Sequence, residues 1–359
     1  MIKSCSIIGL GLIGGSIAKI IKKSKPEIFI YGFDFIDVLE TAFNMNIIDK
    51  KLDAIEDSLY ADVIILSLPV AESLKVFEKL ADKLRPGQII TDVCSVKYSF
   101  QQLWSKINSK GIYIGMHPMS GKEKGGLENS DELLFENSIL VVTNNLNENS
   151  NTREFAEFVK LLGAHILEIP AKQHDIIAAS VSHLPQLVSI ALVNTASLKT
   201  DNYNFLDLAA GGFRDMTRIA SSDFTIWESI INENHDEILI ALEKFQHELI
   251  NIQRDIKEKN FDSLRKKFID ANISRNEIPT NTKGFLTPLF NVYIFVKDEP
   301  GVLSKVTGAL YKNNLNIKDI ELLKVREGKG GNFRIAFSSQ SDAELATKII
   351  SELGFEVKY

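Results

Sequence analysis

Cysteine, net positive charge and long apolar runs are all scarce in this chain of 359 residues. The two cysteines, Cys5 and Cys94, exclude a disulfide framework and a four-cysteine zinc site, and they predict a protein of the reducing cytoplasm. The formal net charge of −6 argues against a nucleic-acid-binding protein, which usually carries a basic stripe.

Membrane and secreted proteins are also disfavoured. Residues 4–21 superficially resemble a signal peptide, but four glycines and Lys19 interrupt them and no cleavage pattern follows. No other run approaches the ~20 apolar residues that a membrane span needs. Hydrophobic residues make up 45% and charged residues 25% of the chain, as in ordinary globular proteins. At roughly 150 residues per domain, this length predicts two or three domains.

The first 170 residues alternate short apolar runs with amphipathic segments. Residues 6–8, 28–31, 63–66, 88–91, 112–114 and 139–142 have the composition of buried parallel strands. Segments 72–84 and 152–162 have helical spacing. The alternation predicts a doubly wound α/β (Rossmann) sheet that forms a dinucleotide-binding domain over residues 1–170.

Residues 171–280 predict an all-α domain for substrate binding and dimerisation, because no convincing strand occurs there. An apolar stripe at spacings of 4, 3, 4, 3 and 4 marks one face of a long helix. The stripe comprises Ile238, Leu242, Phe245, Leu249, Ile252 and Ile256. Packing inside its own domain and burial against a second subunit are both open interpretations, and we expect a homodimer.

The remaining residues predict a linker and a small domain. Proline, glycine and scattered polar residues mark a linker at 281–289. Residues 290–359 show the order βαββαβ, which is typical of a ferredoxin-like unit. The second strand of this unit is expected at residues 315–325.

A glycine motif directly follows the first predicted strand. Residues 9–14 read G-x-G-x-x-G and open a helix, and Asp34 follows Gly14 by 20 residues at the end of the second strand. This context predicts that a pyrophosphate binds at the helix N-terminus and that the Asp34 carboxylate accepts hydrogen bonds from the ribose hydroxyls. The carboxylate would repel the 2′-phosphate of NADP, so the motif favours NAD. The candidate cofactor-binding residues are Gly9, Gly11, Leu12, Ile13, Gly14 and Asp34.

Four polar clusters are candidates for the chemistry. They occupy residues 92–97, 115–123, 182–185 and 211–218, with Trp227 beyond the last. The first two follow predicted strands, whose carboxyl ends face the ligand crevice of such a sheet, and Pro185 in the third is expected to kink a helix. A histidine base with an arginine fork suits the oxidation of an anionic hydroxy substrate. We expect no metal, because no His, Cys, Asp or Glu cluster has convincing ligand spacing.

The motifs together resemble the prephenate dehydrogenase family of the tyrosine pathway. The family's opening glycine motif matches residues 9–16, its Asp-x-x-Ser-x-Lys matches 92–97, and its Gly-x-His-Pro-x-x-Gly-x-Glu matches 115–123. Its helical-domain signatures match residues 182–185 and 212–220. The C-terminal unit, with Asp298-Glu299-Pro300-Gly301, resembles an ACT domain, a small amino-acid-sensing module.

The resemblance implies a role for each matched residue. His117 is implied to be the base that removes the proton from the ring hydroxyl of prephenate, and Ser95 is expected to hydrogen-bond that hydroxyl. Arg218 is implied to bind a substrate carboxylate, although Arg214 offers a second guanidinium close by. The remaining implied pocket residues are His183, Trp227 and, at the mouth, Glu123. The implied reaction is the NAD-dependent oxidative decarboxylation of prephenate to 4-hydroxyphenylpyruvate.

Three alternatives remain. An arogenate dehydrogenase would share these motifs. A 3-hydroxyacid dehydrogenase would share the cofactor fold but is expected to place a catalytic lysine in a Gly-rich helix. The third alternative is not an enzyme but a regulator that senses an amino acid or NAD without turnover.

The C-terminal unit is expected to bind tyrosine as an allosteric ligand. Gly301 lies where the first strand of the unit meets its helix, and free N–H groups there can meet a carboxylate. The candidate ligand residues are Asp298, Gly301, Val302 and Asn316. A passive dimerisation domain is the alternative.

Overall fold

The protein is represented by a computed structural model that describes residues 2–122, 124–197, 205–277, 289–297, 299–326 and 330–358. Clustering of contacts divides the chain into two compact units, residues 1–266 and 267–359. The predicted linker at 281–289 lies outside the described residues except for Leu289.

The first unit contains an eight-stranded sheet within its described residues. Its strands are β1 (Ser4–Ile8), β2 (Phe29–Phe33), β3 (Lys50–Lys51), β4 (Val63–Leu66), β5 (Ile89–Asp92), β6 (Ile112–Pro118), β7 (Ile139–Val142) and β8 (His165–Glu168). The strand order is 3-2-1-4-5-6-7-8, and strands β1 to β6 pair in parallel. This is the doubly wound order, so the Rossmann prediction is confirmed.

The prediction of a parallel strand at residues 139–142 is wrong. Strand β7 pairs antiparallel with β6, and β8 then pairs parallel with β7. Strand β7 pairs with Met116, His117 and Pro118 of β6. The change from parallel to antiparallel pairing therefore occurs at the C-terminal end of β6, which carries His117. The sequence of β7 is as apolar as that of the buried parallel strands, and an apolar run does not reveal the direction of a strand.

Helices cover both faces of this sheet. They are α1 (Leu12–Ser24), α2 (Ile36–Asn44), α3 (Val70–Ala81), α4 (Tyr98–Trp104) and α5 (Ser150–Val159). Neighbouring residues of one strand enter different cores: Ile7 packs with helices α1 and α5, whereas Ile8 packs with α3 and α4. This two-residue period is what a strand buried on both faces requires.

The rest of the first unit is helical, as predicted. Its helices are α6 (Ala171–Ala178), α7 (Leu184–Ala196), α8 (Gly211–Thr217), α9 (Phe224–Glu233), α10 (His235–Lys257) and α11 (Phe261–Glu277), the last of which contains the division between units. The predicted stripe lies on α10, where Ile238 is buried but Leu249 and Ile256 are 50% and 60% exposed. Only the beginning of the stripe therefore packs inside this unit.

The second unit is a four-stranded antiparallel sheet with two helices. Its elements are β9 (Phe290–Val296), α12 (Val302–Lys312), β10 (Asp319–Arg326), β11 (Gly330–Phe337), α13 (Gln340–Glu352) and β12 (Glu356–Lys358). The order β10-β11-β9-β12 is that of a ferredoxin-like βαββαβ fold, which confirms the fold class. Strand β10 begins at Asp319, so Asn316 precedes the strand.

Candidate functional site

The glycine motif forms the turn between β1 and α1. Gly9 has φ +95°, and a Cβ there would lie 2.3 Å from the Ser67 carbonyl oxygen, so only glycine fits. A Cβ on Gly14 would meet the Gly9 carbonyl oxygen at 1.9 Å, whereas Gly11 faces open space. Gly11 also caps α1 without a side-chain bond, which leaves the first-turn N–H groups of Leu12 and Ile13 for an anion. The turn therefore fits a dinucleotide pyrophosphate.

Asp34 directly follows β2 and bonds to the glycine turn. Its carboxylate accepts hydrogen bonds from the Leu10 N–H at 2.5 Å and from the Phe35 N–H at 2.6 Å. The side chain thus fixes the backbone between Gly9 and Gly11, and its negative charge lies at the end of β2, where the sequence predicts a contact with the ribose. Asp34 therefore has a structural contact in addition to its predicted role.

His117 lies inside β6 rather than after a strand, because pairing with β7 extends β6 to Pro118. Its Nδ1 atom is 2.8 Å from Nε2 of His174. The Nδ1 atom of His174 is in turn 2.7 Å from a carboxylate oxygen of Asp175. His174 and Asp175 are buried on α6, so the sheet and the helical region together form a chain of three polar side chains in which His117 is half-buried.

The contacts determine the tautomers along this chain. Asp175 accepts from the backbone N–H groups of Lys97 at 2.8 Å and Tyr98 at 2.9 Å, so its carboxylate acts as an acceptor. His174 then carries its proton on Nδ1 and accepts at Nε2, and His117 donates from Nδ1. The Nε2 atom of His117 is therefore the basic nitrogen. Loss of hydration on burial and the nearby His174 lower the pKa of His117 well below 6.5, which keeps this imidazole neutral.

A second buried network positions Ser95. Lys97 and Asp92 are fully buried and form an ion pair, and Asp92 also accepts from the Tyr113 hydroxyl at 2.8 Å. Together with the Lys97 N–H bond to Asp175, these contacts fix both ends of the loop between β5 and α4. Ser95 lies in that loop, and its buried hydroxyl has no hydrogen-bond partner within the described part of the chain. A buried hydroxyl without a protein partner in such a loop is a candidate ligand-binding group.

His183 belongs to the same cluster. Its ring packs edge-on against Trp227, with centroids 5.9 Å apart, and its Nδ1 is 3.2 Å from Nδ2 of Asn234. The same Asn234 nitrogen donates to the Asp175 carbonyl oxygen at 2.9 Å. The structure therefore brings His117, His183 and Trp227 into one cluster. Asn234 connects His183 to the chain that holds His117.

Pro185 lies in the first turn of α7. A π turn at Ala179–His183 precedes it and joins α6 to α7. A continuous α-helix rotates about 100° per residue, which would place His183 roughly 80° around the axis from Asp175. A π turn contains one additional residue, which offsets the residues after it by about 100° in the opposite direction and leaves His183 within about 20° of Asp175 around the axis. The π turn therefore brings His183 to the face of the helix that carries Asp175.

This stretch, Ala171–Ala196, is long and apolar enough to cross a membrane by length and composition alone. It nevertheless carries His174, Asp175 and His183, which are all buried in the cluster. Within the described residues, no group of three or more His, Cys, Asp or Glu could hold a metal ion.

Arg214 lies on α8, and Arg218 begins the 3₁₀ turn that follows it. Both side chains are exposed. The turn is held by Gln186 of α7, a buried side chain whose Nε2 donates to the Ile219 carbonyl oxygen at 2.9 Å. Glu123, the predicted residue at the mouth, lies outside the described residues.

The second unit contains a cavity at its predicted ligand position. The cavity has a volume of about 350 Å³, and Gly301, Val302, Leu322 and Phe333 are among its lining residues. Gly301 has φ +86° and caps α12 without a side-chain bond, so first-turn N–H groups point toward the junction. Asn316 is exposed and is not among the lining residues, and Asp298 lies outside the described residues.

Sequence reasoning missed His174, Asp175, Asn234 and Gln186. A usable signal existed for the first two, because a His-Asp pair interrupts an apolar helical stretch that is long enough to cross a membrane. Buried polar residues in such a stretch need partners, and polar groups in a cleft are candidates for function. Asn234 and Gln186 carry no such local signal.

Comparison with known proteins gives three matching sequence models. "Prephenate dehydrogenase, nucleotide-binding domain" matches residues 17–168, and "Prephenate dehydrogenase, dimerization domain" matches residues 170–270. The model "ACT domain" matches residues 290–355.

Individual relatives agree with these models. A prephenate dehydrogenase of Bacillus subtilis (strain 168) is 33% identical over 350 residues, which are 96% of this chain and 94% of that protein. The crystal structure of prephenate dehydrogenase from A. aeolicus with hydroxyphenyl propionate and NAD+ is 29% identical, has a TM-score of 0.69, and matches 77% of this chain and 99% of its own. Synechocystis arogenate dehydrogenase is 26% identical, with a TM-score of 0.65 and coverages of 76% and 99%.

Proposed function

This chain belongs to the prephenate dehydrogenase family and is an NAD-dependent oxidoreductase, and from that premise we propose that it converts prephenate to 4-hydroxyphenylpyruvate in tyrosine biosynthesis. The observation that carries this proposal is the chain from Asp175 through His174 to His117. The chain leaves the Nε2 atom of a neutral imidazole as a base at the carboxyl end of the sheet.

His117 accepts the proton of the ring hydroxyl at Nε2. NAD, which the glycine turn and Asp34 would hold, would supply the acceptor for the hydride of the carbon that carries this hydroxyl. The ring then loses its carboxylate as carbon dioxide and becomes aromatic, which drives the reaction. His174 stabilises the imidazolium that forms, since its Nε2 accepts the Nδ1–H bond of His117 in both protonation states.

The remaining residues bind and orient the substrate. Ser95 offers a buried hydroxyl without a partner in the described chain, which suits a bond to the ring hydroxyl. We assign the substrate carboxylate to Arg218 rather than Arg214, since Gln186 holds the turn that Arg218 begins. Holding substrate and cofactor in one orientation is a large part of the catalytic task.

The regulatory ligand of the second unit is proposed to be tyrosine. The lining of its cavity combines apolar side chains, including Val302, Leu322 and Phe333, with the charged residues Lys297 and Glu299. Apolar walls suit an aromatic ring, and the charged groups with the α12 N-terminus suit an amino acid's ammonium and carboxylate. Passive dimerisation remains the alternative function of this unit.

The protein is further proposed to be a cytoplasmic homodimer. Half-exposed apolar residues on α10, such as Leu249 and Ile256, support burial against a second subunit. Both cysteines are free and buried, which suits a reducing compartment.

A steady-state assay tests the proposed reaction. Purified protein is incubated with prephenate or arogenate, each with NAD or NADP, and formation of the reduced cofactor is followed. We expect turnover of prephenate with NAD to exceed that of the other three combinations. A preference for arogenate would make the protein an arogenate dehydrogenase, and no turnover of either substrate would favour a sensing regulator.

A further inference from the structure

Asn234 occupies a helix start without capping it. It ends α9 and precedes α10, a position where an asparagine side chain usually accepts a backbone N–H of the new helix. Here the side chain makes no capping bond and is 4% exposed. Its amide instead points to Asp175 and His183. The Asn234 side chain therefore makes two contacts within the candidate site and no hydrogen bond that caps α10.

The orientation of this amide follows from its partners. The Asp175 carbonyl oxygen can only accept, so the Asn234 atom 2.9 Å from it must be the NH₂ nitrogen. That nitrogen has a second hydrogen, and His183 Nδ1 lies 3.2 Å away. Since an NH₂ group cannot accept, Nδ1 of His183 is the acceptor and carries no proton. A neutral His183 must then carry its proton on Nε2.

The proton on Nε2 has no protein acceptor within the described residues. The Nε2 atom is buried, and the buried Ser95 hydroxyl likewise has no partner there. Burial lowers the pKa of His183 to about 4, so the ring is neutral near pH 7. An unpaired buried N–H costs free energy that a bound acceptor would recover.

We propose that Asn234 is a positioning residue that holds His183 as its Nε2–H tautomer, so that His183 donates a hydrogen bond to an oxygen of the bound substrate. The identity of that oxygen, a carboxylate or keto oxygen of prephenate, rests on the proposed function, whereas the tautomer does not. His183 is therefore a neutral donor and His117 a neutral acceptor, although both are imidazoles of one cluster.

The tautomer is tested directly in the full-length protein. Ring nitrogens of the ¹⁵N-labelled protein are observed by long-range ¹H–¹⁵N NMR at pH 7, and the His183 signals are identified by their loss in His183→Gln. We expect an unprotonated Nδ1 and a protonated Nε2. A protonated Nδ1, whether in the other tautomer or in an imidazolium, would overturn the proposal whatever reaction the protein catalyses.

Kinetics test the consequence for the substrate. In Asn234→Asp the carboxyl group accepts from Nδ1–H, which moves the His183 proton away from Nε2. We expect kcat/KM for prephenate to fall about ten- to a hundred-fold, the range for a lost hydrogen bond to a charged group, mainly through KM and without a change in KM for NAD. Asn232→Asp adds the same charge at an exposed position on α9 and should match the unmodified protein.

The pH dependence separates positioning from general damage. Acid converts His183 of Asn234→Asp to an imidazolium, which again carries a proton on Nε2. The ratio of variant to unmodified kcat/KM should therefore rise as the pH falls from 8 toward 6. A ratio that is independent of pH would show a merely structural role and overturn the proposal, while absence of turnover in the unmodified protein would reject only the proposed reaction.

Discussion

His117 and His183 show how contacts decide the role of a residue. Each has a pKa that loss of hydration lowers, so neither is charged near neutral pH. From their contacts we assign His117 as a donor at Nδ1 with a basic Nε2, whereas the proposed tautomer of His183 accepts at Nδ1 and carries its proton on Nε2. One residue type thus supplies the acceptor and the donor of the same site.

Replacing His117 with Asn removes the base. We expect kcat to fall about 10²–10⁴-fold, the usual contribution of general-base catalysis, with unchanged NAD affinity because the glycine turn is untouched. Steady-state rates and a fluorescence titration with NAD measure both. The exposed His247 on α10 provides a matched control, since His247→Asn should retain normal activity. A normal rate in His117→Asn would contradict the assignment.

The lowered pKa of His117 predicts the acid side of the pH–rate profile. Only the neutral imidazole accepts a proton, so activity is lost as the pH falls through the pKa of His117. Burial first, and His174 second, hold that pKa well below 6.5. We therefore expect kcat/KM to remain high at pH 6.5 and to decline only in more acidic buffer. An inflection at or above pH 6.5 would show that another group controls this limb.

Asp34 combines a charge with a backbone contact, and two substitutions separate them. Asp34→Ser removes both, so NAD should bind about ten- to a hundred-fold more weakly and discrimination against NADP should relax. Asp34→Asn removes the charge but keeps an oxygen that can accept from the Leu10 N–H. We expect Asn to relax discrimination with a smaller loss of NAD affinity. Unchanged cofactor preference in both variants, measured as kcat/KM, would place selectivity elsewhere.

At the scale of elements, the helical region positions its functional residues through turns between helices. The π turn places His183 beside Asp175, and the junction of α9 and α10 places Asn234 between them. The 3₁₀ turn after α8 carries Arg218 and is held by Gln186. Helix ends and π turns are where backbone geometry can redirect side chains.

The assignment of the substrate carboxylate to Arg218 rather than Arg214 is tested by replacing each arginine in turn. Arg218→Ala should raise KM for prephenate about ten- to a hundred-fold, since a hydrogen bond between charged groups contributes about 1.5–3 kcal/mol. Arg214→Ala is the matched variant one helical turn away and should have the smaller effect. Steady-state KM values for prephenate and NAD decide the assignment, and a larger effect of Arg214→Ala would reverse it.

At the scale of the whole molecule, catalysis and regulation are assigned to different parts of the chain. The A. aeolicus enzyme is matched over 99% of its length by 77% of this chain. A related chain therefore exists without an equivalent of the remaining residues. The second unit, in contrast, has its own core around Ile294, Val306 and Phe337.

Truncation after Thr287 tests this division. The shortened protein should retain dehydrogenase activity and lose most of its inhibition by tyrosine, because feedback requires a regulatory site coupled to the active one. Initial rates across a series of tyrosine concentrations compare the two forms. Inhibition that persists and is purely competitive with prephenate would place tyrosine in the active site instead.

The sequence by itself determined those features that depend on neighbouring residues. The glycine turn needs small residues at fixed spacing, and Asp34 must follow the next strand, so both are visible in the first 34 residues. The βαββαβ order of the second unit follows from alternating apolar patterns in the same way. Hydrophobic period, turn residues and helix starts are local properties, and they specify elements and their order.

Only the tertiary structure decided the direction of β7 and the connections within the site. His117 meets His174 across 57 positions of the chain, His183 meets Asn234 across 51, and Lys97 meets Asp175 across 78. The sequence shows which residues can donate or accept, but a donor and an acceptor become a pair only when folding brings them within about 3 Å. The roles of His117 and His183 depend on such pairs, and for that reason no local pattern distinguishes the base from the donor.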